Sequence, residues 1–245
     1  MRNLLIFMFL VAVFVLGNRS CNGFHFGFGG ITGTGSVQKE TRTANNFHAL
    51  DLQISGDVEV TIGESYSVEI FAQSNLLPVL KTAVEGGTLR IYSTENFNTS
   101  EGVKIKVTAP AFDQFSLDGS GTIRVLNELK ADIMTLNLGG SGDIICSQGD
   151  FNALNTSIDG SGAIELGGKA NDMKCDISGS GDVAAKKLTT NTLIISISGS
   201  GTVTADVIKH LNASISGSGE VFYTGSPSVE TSVSGSGSVK RAEIQ

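Results

Sequence analysis

The sequence predicts an all-β protein, a right-handed parallel β-helix (solenoid) of about 18–21 residues per coil that is preceded by an irregular β region. Three observations predict this fold. The tripeptide Gly-Ser-Gly recurs at a nearly fixed interval, aliphatic residues alternate with polar ones around each copy, and Gly accounts for 31 of 245 residues. An average protein has about 7% Gly, so this excess needs a structural reason.

Residues 1–20 have the pattern of a secretory signal peptide. Arg2 precedes an uncharged apolar run of 13 residues that ends at Leu16, which is shorter than the roughly 20 residues that span a bilayer. Cleavage could follow Gly17, or it could precede Cys21, which would then be the acylated first residue of a lipoprotein. Cys21 is therefore a lipidation candidate, and a free thiol in a loop is the alternative.

Residues 21–35 are rich in Gly and Phe and are interpreted as a tether, because closely spaced glycines disfavour regular structure. The overall charge argues against a nucleic-acid partner. Lys and Arg number 17 against 24 Asp and Glu, and the net charge of −7 repels phosphate backbones. The three Cys and three His are scattered without the paired spacing of a zinc site, so we expect no metal and no cofactor.

Residues 36–115 form the irregular β half of the predicted domain. Short runs of alternating apolar and polar residues, such as Leu50-Asp51-Leu52, predict half-buried strands. One short helix is predicted around Asn75 to Lys81, and Pro78 limits it to a turn or two. Since no change of composition marks a linker, residues 36–245 are expected to form a single domain, with the repeats in 116–245.

The repeats of residues 116–245 carry the fold prediction. Gly-Ser-Gly begins at seven positions: Gly119, Gly140, Gly160, Gly179, Gly199, Gly217 and Gly235. Counted from the first Gly, positions −2 and +4 are aliphatic in every copy, whereas −3, −1 and +3 are mostly polar. A period of two indicates strands, so each coil should contain three short strands separated by bends. Equivalent positions of successive coils would then stack about 4.8 Å apart, with the right-handed sense that parallel crossovers favour.

The central Ser of each repeat is predicted to point outward. We call these seven residues the serine ladder: Ser120, Ser141, Ser161, Ser180, Ser200, Ser218 and Ser236. We expect hydrogen bonds between neighbouring hydroxyls along this ladder, with direct contact to a ligand as the alternative.

Three carboxylates share position +3 in alternate coils, and we call them the acidic column: Asp143, Asp182 and Glu220. Two coils would separate neighbouring members by roughly 9 to 10 Å. Inverting glycosidases hold two carboxyls about 6.5–9.5 Å apart, so the spacing alone is compatible with hydrolysis. No cation or His of the repeat stands beside these positions, which favours a solvated acidic face over catalysis.

The remaining candidates for chemistry are predicted to be structural. Cys146 and Cys175 occupy different positions in their coils, so they should not pair and should behave as small buried apolar residues. His48 and His210 have no visible partner in the sequence and are expected to be surface residues rather than bases.

The run from Phe47 to Val60, Phe-His-Ala-Leu-Asp-Leu-Gln-Ile-Ser-Gly-Asp-Val-Glu-Val, is followed by the Gly-Ser-Gly coils. Together they resemble the putative auto-transporter adhesin head domain family, called the GIN domain, which is common in Bacteroidetes. The resemblance covers about residues 36–240. It implies an exported β-helical protein, often behind a lipoprotein signal, and it supplies no catalytic residues.

These observations predict an exported, cell-envelope-anchored protein with an adhesive or structural role and without catalysis. The expected partner is a glycan or a host or cell-surface ligand, bound along the serine ladder and the acidic column. The membrane would be a further partner if Cys21 is acylated, which favours the outer membrane or cell surface over a periplasmic or secreted location. A polysaccharide-binding or polysaccharide-degrading β-helix protein is the alternative function.

Overall fold

A computed structural model describes residues 30–242 of the chain. The predicted signal peptide, Cys21 and most of the predicted tether lie outside these residues. The described part is all β, with nineteen strands and no helix. Among residues 30–242 there is accordingly no long apolar helix that could cross a bilayer. The predicted all-β class and the solenoid are confirmed.

The first half contains nine strands. They are β1 (Ile31–Thr32), β2 (Val37–Arg42), β3 (Ala49–Leu52), β4 (Asp57–Ile62), β5 (Ser67–Gln73), β6 (Leu80–Glu85), β7 (Thr88–Ser93), β8 (Phe97–Asn98) and β9 (Lys104–Ala109). The second half contains ten. They are β10 (Gln114–Leu117), β11 (Thr122–Val125), β12 (Leu129–Leu138), β13 (Asp143–Gly160), β14 (Ala163–Gly179), β15 (Asp182–Gly199), β16 (Thr202–Gly217), β17 (Glu220–Gly225), β18 (Ser228–Gly235) and β19 (Ser238–Arg241).

Coils of the second half stack in parallel, and those of β13, β14 and β15 each pair with the next coil in three segments. Between β13 and β14 the paired segments begin at Asp143, Gly149 and Ala153, and the pairing is interrupted between them. Strands β15 and β16 show the same division into three. The bends fall at these interruptions and at the Gly-Ser-Gly tripeptides, which agrees with the three short strands predicted for each coil. The right-handed sense of the coil stays a prediction.

The interior of the solenoid is filled by the aliphatic residues of positions −2 and +4. Ile158, Ile177 and Ile197 stack in register on one side, and Ile164 and Val183 stack on another; all five are buried. One continuous hydrophobic cluster extends from Ala44 to Val221. Burying each such side chain contributes about 1.5–3 kcal/mol, so the repeating aliphatic columns are the main source of stability.

The first half also contributes coils, but their order in space differs from their order in sequence. Strands β3 and β4 pair in parallel with β10 and β11, so that Leu50 lies beside Phe115 and Val58 beside Ile123. On their other side, β3 and β4 pair with β7 and β9. The chain therefore leaves the coil of β3 and β4, builds the coil of β7 and β9 beneath it, and returns to continue above it.

The two ends of the solenoid differ. At the end formed by β7 and β9, strands β6 and β5 pair antiparallel with that coil, and β2 adds antiparallel to β5. These strands form the capped end, and the exposed, charged β2 discourages further strand pairing. At the other end, β18 and β19 pair on one side only, and every residue of β18 is exposed. We call this the open end.

The predicted helix around Asn75 to Lys81 is wrong. The amide of Leu76 donates to the carbonyl of Gln73, and that of Leu80 donates to Leu76 at 3.2 Å, which makes turns that do not continue. Pro78 has no amide hydrogen to extend them. Leu80 then begins β6, which pairs antiparallel with β7.

We expect Ile177→Asp to destabilise the protein by on the order of 4 kcal/mol and Ser180→Ala to change stability by less than about 0.5 kcal/mol. Ile177 is 2% exposed between two coils, where a carboxylate would have no partner, whereas Ser180 is exposed. Urea denaturation of the two variants measures the difference. Equal midpoints would contradict the assigned inward and outward facing.

Candidate functional site

Neighbouring coils approach each other closely at the Gly-Ser-Gly corner. Gly179 has a φ of 131°, which side-chain-bearing residues rarely adopt, and a Cβ there would meet the carbonyl oxygen of Gly160 in the preceding coil. A Cβ on Gly219, a third position of the tripeptide, would lie 2.7 Å from Cγ2 of Ile197. Both glycines are therefore needed for stacking, and the central residue is the one that can carry a side chain.

All seven residues of the serine ladder are exposed, in the orientation that the alternation predicts. Six of these amides, all but that of Ser120, bind the preceding coil; for example, the amide of Ser180 donates to the carbonyl of Gly160 at 2.9 Å, and that of Ser200 donates to the carbonyl of Gly179 at 2.9 Å. At these six corners the Ser backbone is bound to the preceding coil, and the Ser side chain is exposed to solvent.

The expected hydrogen bonds along the serine ladder are wrong. In the described chain the Ser hydroxyls that form hydrogen bonds belong to other positions, such as Ser116 and Ser228. Coils repeat at about 4.8 Å, whereas a bond between two hydroxyls requires about 2.5–3.0 Å. The hydroxyls of the ladder therefore keep their donors and acceptors free.

The last three coils extend the ladder into a two-dimensional array. Positions −3, −1 and +1 are Ser in each of these coils, and all nine side chains are exposed. We call this array the serine grid: Ser196, Ser198, Ser200, Ser214, Ser216, Ser218, Ser232, Ser234 and Ser236. The parallel register places Ser196, Ser214 and Ser232 side by side on successive strands. The grid is an uncharged, regularly spaced set of hydroxyls at the open end, and it continues around the bend at the Gly-Ser-Gly tripeptides.

The acidic column is a column in space as well as in sequence. Asp143, Asp182 and Glu220 occupy one continuous register, with a neutral residue in each intervening coil. Asp57 extends the column, since it pairs with Thr122, which pairs with Asp143. Sequence reasoning missed Asp57 because its coil has no Gly-Ser-Gly, although the shorter Ser55-Gly56-Asp57 was a usable signal.

Two members of the acidic column are bound to the following coil. Asp182 Oδ1 accepts a hydrogen bond of 3.0 Å from the amide of Thr202, and Glu220 Oε1 lies 3.4 Å from Nζ of Lys240. The expectation that no cation stands beside these positions is wrong for Glu220, because the final coil brings Lys240 next to it. Both side chains of this ion pair are about half exposed, so the arrangement is a solvated surface pair.

Each of the two described histidines that were expected to lack a partner has one. Nδ1 of His48 lies 2.9 Å from Asp113, and Nδ1 of His210 lies 2.7 Å from the hydroxyl of Ser228. A Cβ on Gly87 would contact Nε2 of His48. The His48 side chain is 56% exposed, so the pair with Asp113 lies on the surface of the protein.

The two described cysteines are buried and unpaired with each other. Burial raises the pKa of Cys146 to about 11 and that of Cys175 to about 12, despite a hydrogen bond from Thr156 that lowers the latter. Protonated, buried thiols are poor nucleophiles, which agrees with their predicted role as small apolar residues. Within residues 30–242 no three His, Cys, Asp or Glu side chains converge as a metal site would require.

A family model described as putative auto-transporter adhesin, head GIN domain, matches residues 46–227. Comparison with curated proteins finds no match.

Solved structures with the same fold come from Bacteroides and Parabacteroides. A putative adhesin from Bacteroides fragilis is 24% identical, with a TM-score of 0.82 over 87% of this chain and 100% of that chain. A putative lipid binding protein from Parabacteroides distasonis is 23% identical, with a TM-score of 0.70 over 87% and 99%. A putative adhesin from Parabacteroides merdae is 21% identical, with a TM-score of 0.68 over 87% and 99%. At these identities the likeness shows the fold.

We expect Gly179→Ala to cost on the order of 3 kcal/mol of stability, because the new Cβ meets the preceding coil in a backbone region closed to Ala. The matched control is Gly86→Ala, at a φ of 57° with no atom within 4 Å of the added Cβ, for which about 1 kcal/mol is expected. Thermal denaturation of both variants tests this. A smaller loss at Gly179 than at Gly86 would contradict the steric account of the corner.

The raised thiol pKa values predict a loss of stability in alkali. From the ordinary value of 9.0 up to about 11, Cys146 ionises in the unfolded chain and stays protonated in the folded one, so the free energy of unfolding falls as pH rises. Cys175 adds the same effect up to about pH 12. Urea denaturation between pH 8 and pH 11 should therefore give a shallower decline for Cys175→Ala than for the wild type, and identical slopes would refute the assignment.

Proposed function

The chain belongs to the putative auto-transporter adhesin, head GIN domain, family, and from this premise we propose that it is an exported, envelope-anchored protein that binds a surface ligand without catalysis. The single observation that carries the proposal is the serine grid. Nine exposed hydroxyls in regular array form a recognition surface, and none of the nine positions carries an acidic or basic side chain.

The grid suits a partner that repeats its own polar groups. Each Ser hydroxyl can donate one hydrogen bond and accept two, and neighbouring coils offer the same group about every 4.8 Å. Single contacts of this kind are weak, but many of them engaged together give avidity. A glycan displays hydroxyls at comparable regular intervals, which is why we favour it as the ligand class.

The position of the grid supports anchoring from the N-terminal side. The described chain starts at the capped end, where Ile31 and Thr32 of β1 pair with Phe97 and Asn98 of β8. An anchor at Cys21 would therefore attach near the capped end. The serine grid lies at the open end, which would be held away from the membrane.

Binding is favoured over hydrolysis by the state of the acidic side chains. Asp182 and Glu220 are engaged with the next coil, and Asp143 is exposed without a neighbouring His. A lipid ligand inside the fold is also disfavoured, because the aliphatic columns fill the interior.

Protease shaving of intact cells that express a C-terminally tagged chain tests the location. We expect external protease to remove the tag from whole cells, because the proposed anchor leaves the open end outside. Cys21→Ala should release the protein into the medium or the periplasm, since the acyl anchor is lost. Protection of the tag until the outer membrane is opened would overturn the adhesive role.

A further inference from the structure

The structure assigns a second candidate site to the capped end, where no sequence pattern indicated one. A groove of about 620 Å³ lies on the outer face of β9, β4 and β11, within the size range of small-ligand sites. Resting on the proposed binding function, we propose that this groove holds a neutral sugar unit of the glycan ligand.

The floor of the groove is built from alternating charges on three neighbouring strands. In one register Lys104, Asp57 and Thr122 lie side by side. Two residues further along the same three strands, Lys106, Glu59 and Arg124 lie side by side. Parallel pairing thus places an acidic residue beside a basic one in both rows, on strands that lie about 4.8 Å apart.

Part of this charged floor is free to bind. Lys106 and Glu59 form an ion pair of 3.6 Å, with both side chains about half exposed. Over residues 30–242, by contrast, neither Lys104 nor Arg124 has a carboxylate within 4 Å. Two cationic donors therefore point into the groove without an intramolecular ion-pair partner.

One wall of the groove is apolar. Phe71 of β5 lies opposite Lys104 in the antiparallel pairing, and its ring centroid is 5.9 Å from Nζ of Lys106. Val37 of β2 is 45% exposed beside it. An aromatic ring next to an apolar side chain offers a surface on which the C–H face of a pyranose can pack.

The combination fits a sugar better than an anion. Each sugar hydroxyl both donates and accepts, so it can bridge the cationic donors and the carboxylate acceptors that alternate on the floor. The six charged residues that line the groove sum to zero, because Glu101 balances the third cation. A groove of zero net charge in a chain of net charge −7 gives no long-range attraction to a polyanion.

The opposite end of the solenoid provides a matched control. Phe222 is also half-buried on the outside of a coil, and Nζ of Lys240 lies 5.8 Å from its ring centroid. This pair reproduces the aromatic ring and cation of the groove but lies away from its floor and walls.

Calorimetric titration of the exported full-length chain with cellohexaose, maltohexaose, xylohexaose and mannohexaose tests the proposal, with hexagalacturonate as the acidic comparison. We expect at least one neutral hexasaccharide to bind. Phe71→Ala should raise its Kd about tenfold, and Lys104→Met should raise it as well. Phe222→Ala should leave it unchanged, and circular dichroism melting confirms that all variants are folded.

Three results would overturn the groove as a sugar site. They are the absence of binding to every neutral hexasaccharide, binding of hexagalacturonate alone, and an equal loss in the Phe71 and Phe222 variants. If Ser216→Asp in the serine grid abolishes binding while Phe71→Ala does not, the groove fails and the proposed adhesive function stands. If the tag is protected from shaving while Phe71→Ala still weakens sugar binding, the adhesive function fails and the groove stands.

Discussion

The rest of the structure depends on one steric constraint, the contact of backbone with backbone at the Gly-Ser-Gly corner. Coils can stack at β-sheet spacing only if the chain turns without side chains that strike the coil before. Gly160 and Gly179 face each other there, with the carbonyl of one against the Cα of the other. Because the five corners that begin at Gly160, Gly179, Gly199, Gly217 and Gly235 meet this requirement in the same way, the other positions of these coils fall into register, and the inward and outward columns follow.

This regularity separates stability from recognition. Inward columns such as Ile158, Ile177 and Ile197 hold the coils together, and a change there affects the whole stack. Outward side chains contact only the coils next to their own. Substitutions at these positions therefore change the stability of the fold little. A solenoid of this kind can carry a hydroxyl array at one end and a charged groove at the other on the same scaffold.

The side chains that are most reactive by type are buried, paired or bound to a neighbouring coil. The thiols of Cys146 and Cys175 are kept protonated by burial, His48 is paired with Asp113 on the surface, and two carboxylates of the acidic column are bound to the following coil. What remains accessible is a set of donors and acceptors in fixed positions. Such a surface is suited to multivalent binding, which is the role proposed for the serine grid.

The sequence by itself determined the repeating half, because a period of two within each coil and a period of about twenty between coils are local signals. It indicated the solenoid, the facing of Ile177 and Ser180, and the separation of the cysteines. Tertiary structure alone decided the rest. The return of the chain past the coil of β3 and β4 joins Asp57 to the acidic column, and the antiparallel strands of the capped end bring Phe71 beside Lys104. These contacts join residues that are far apart in sequence, through strand pairings that the periodic pattern does not specify. The groove could therefore not be predicted from the sequence.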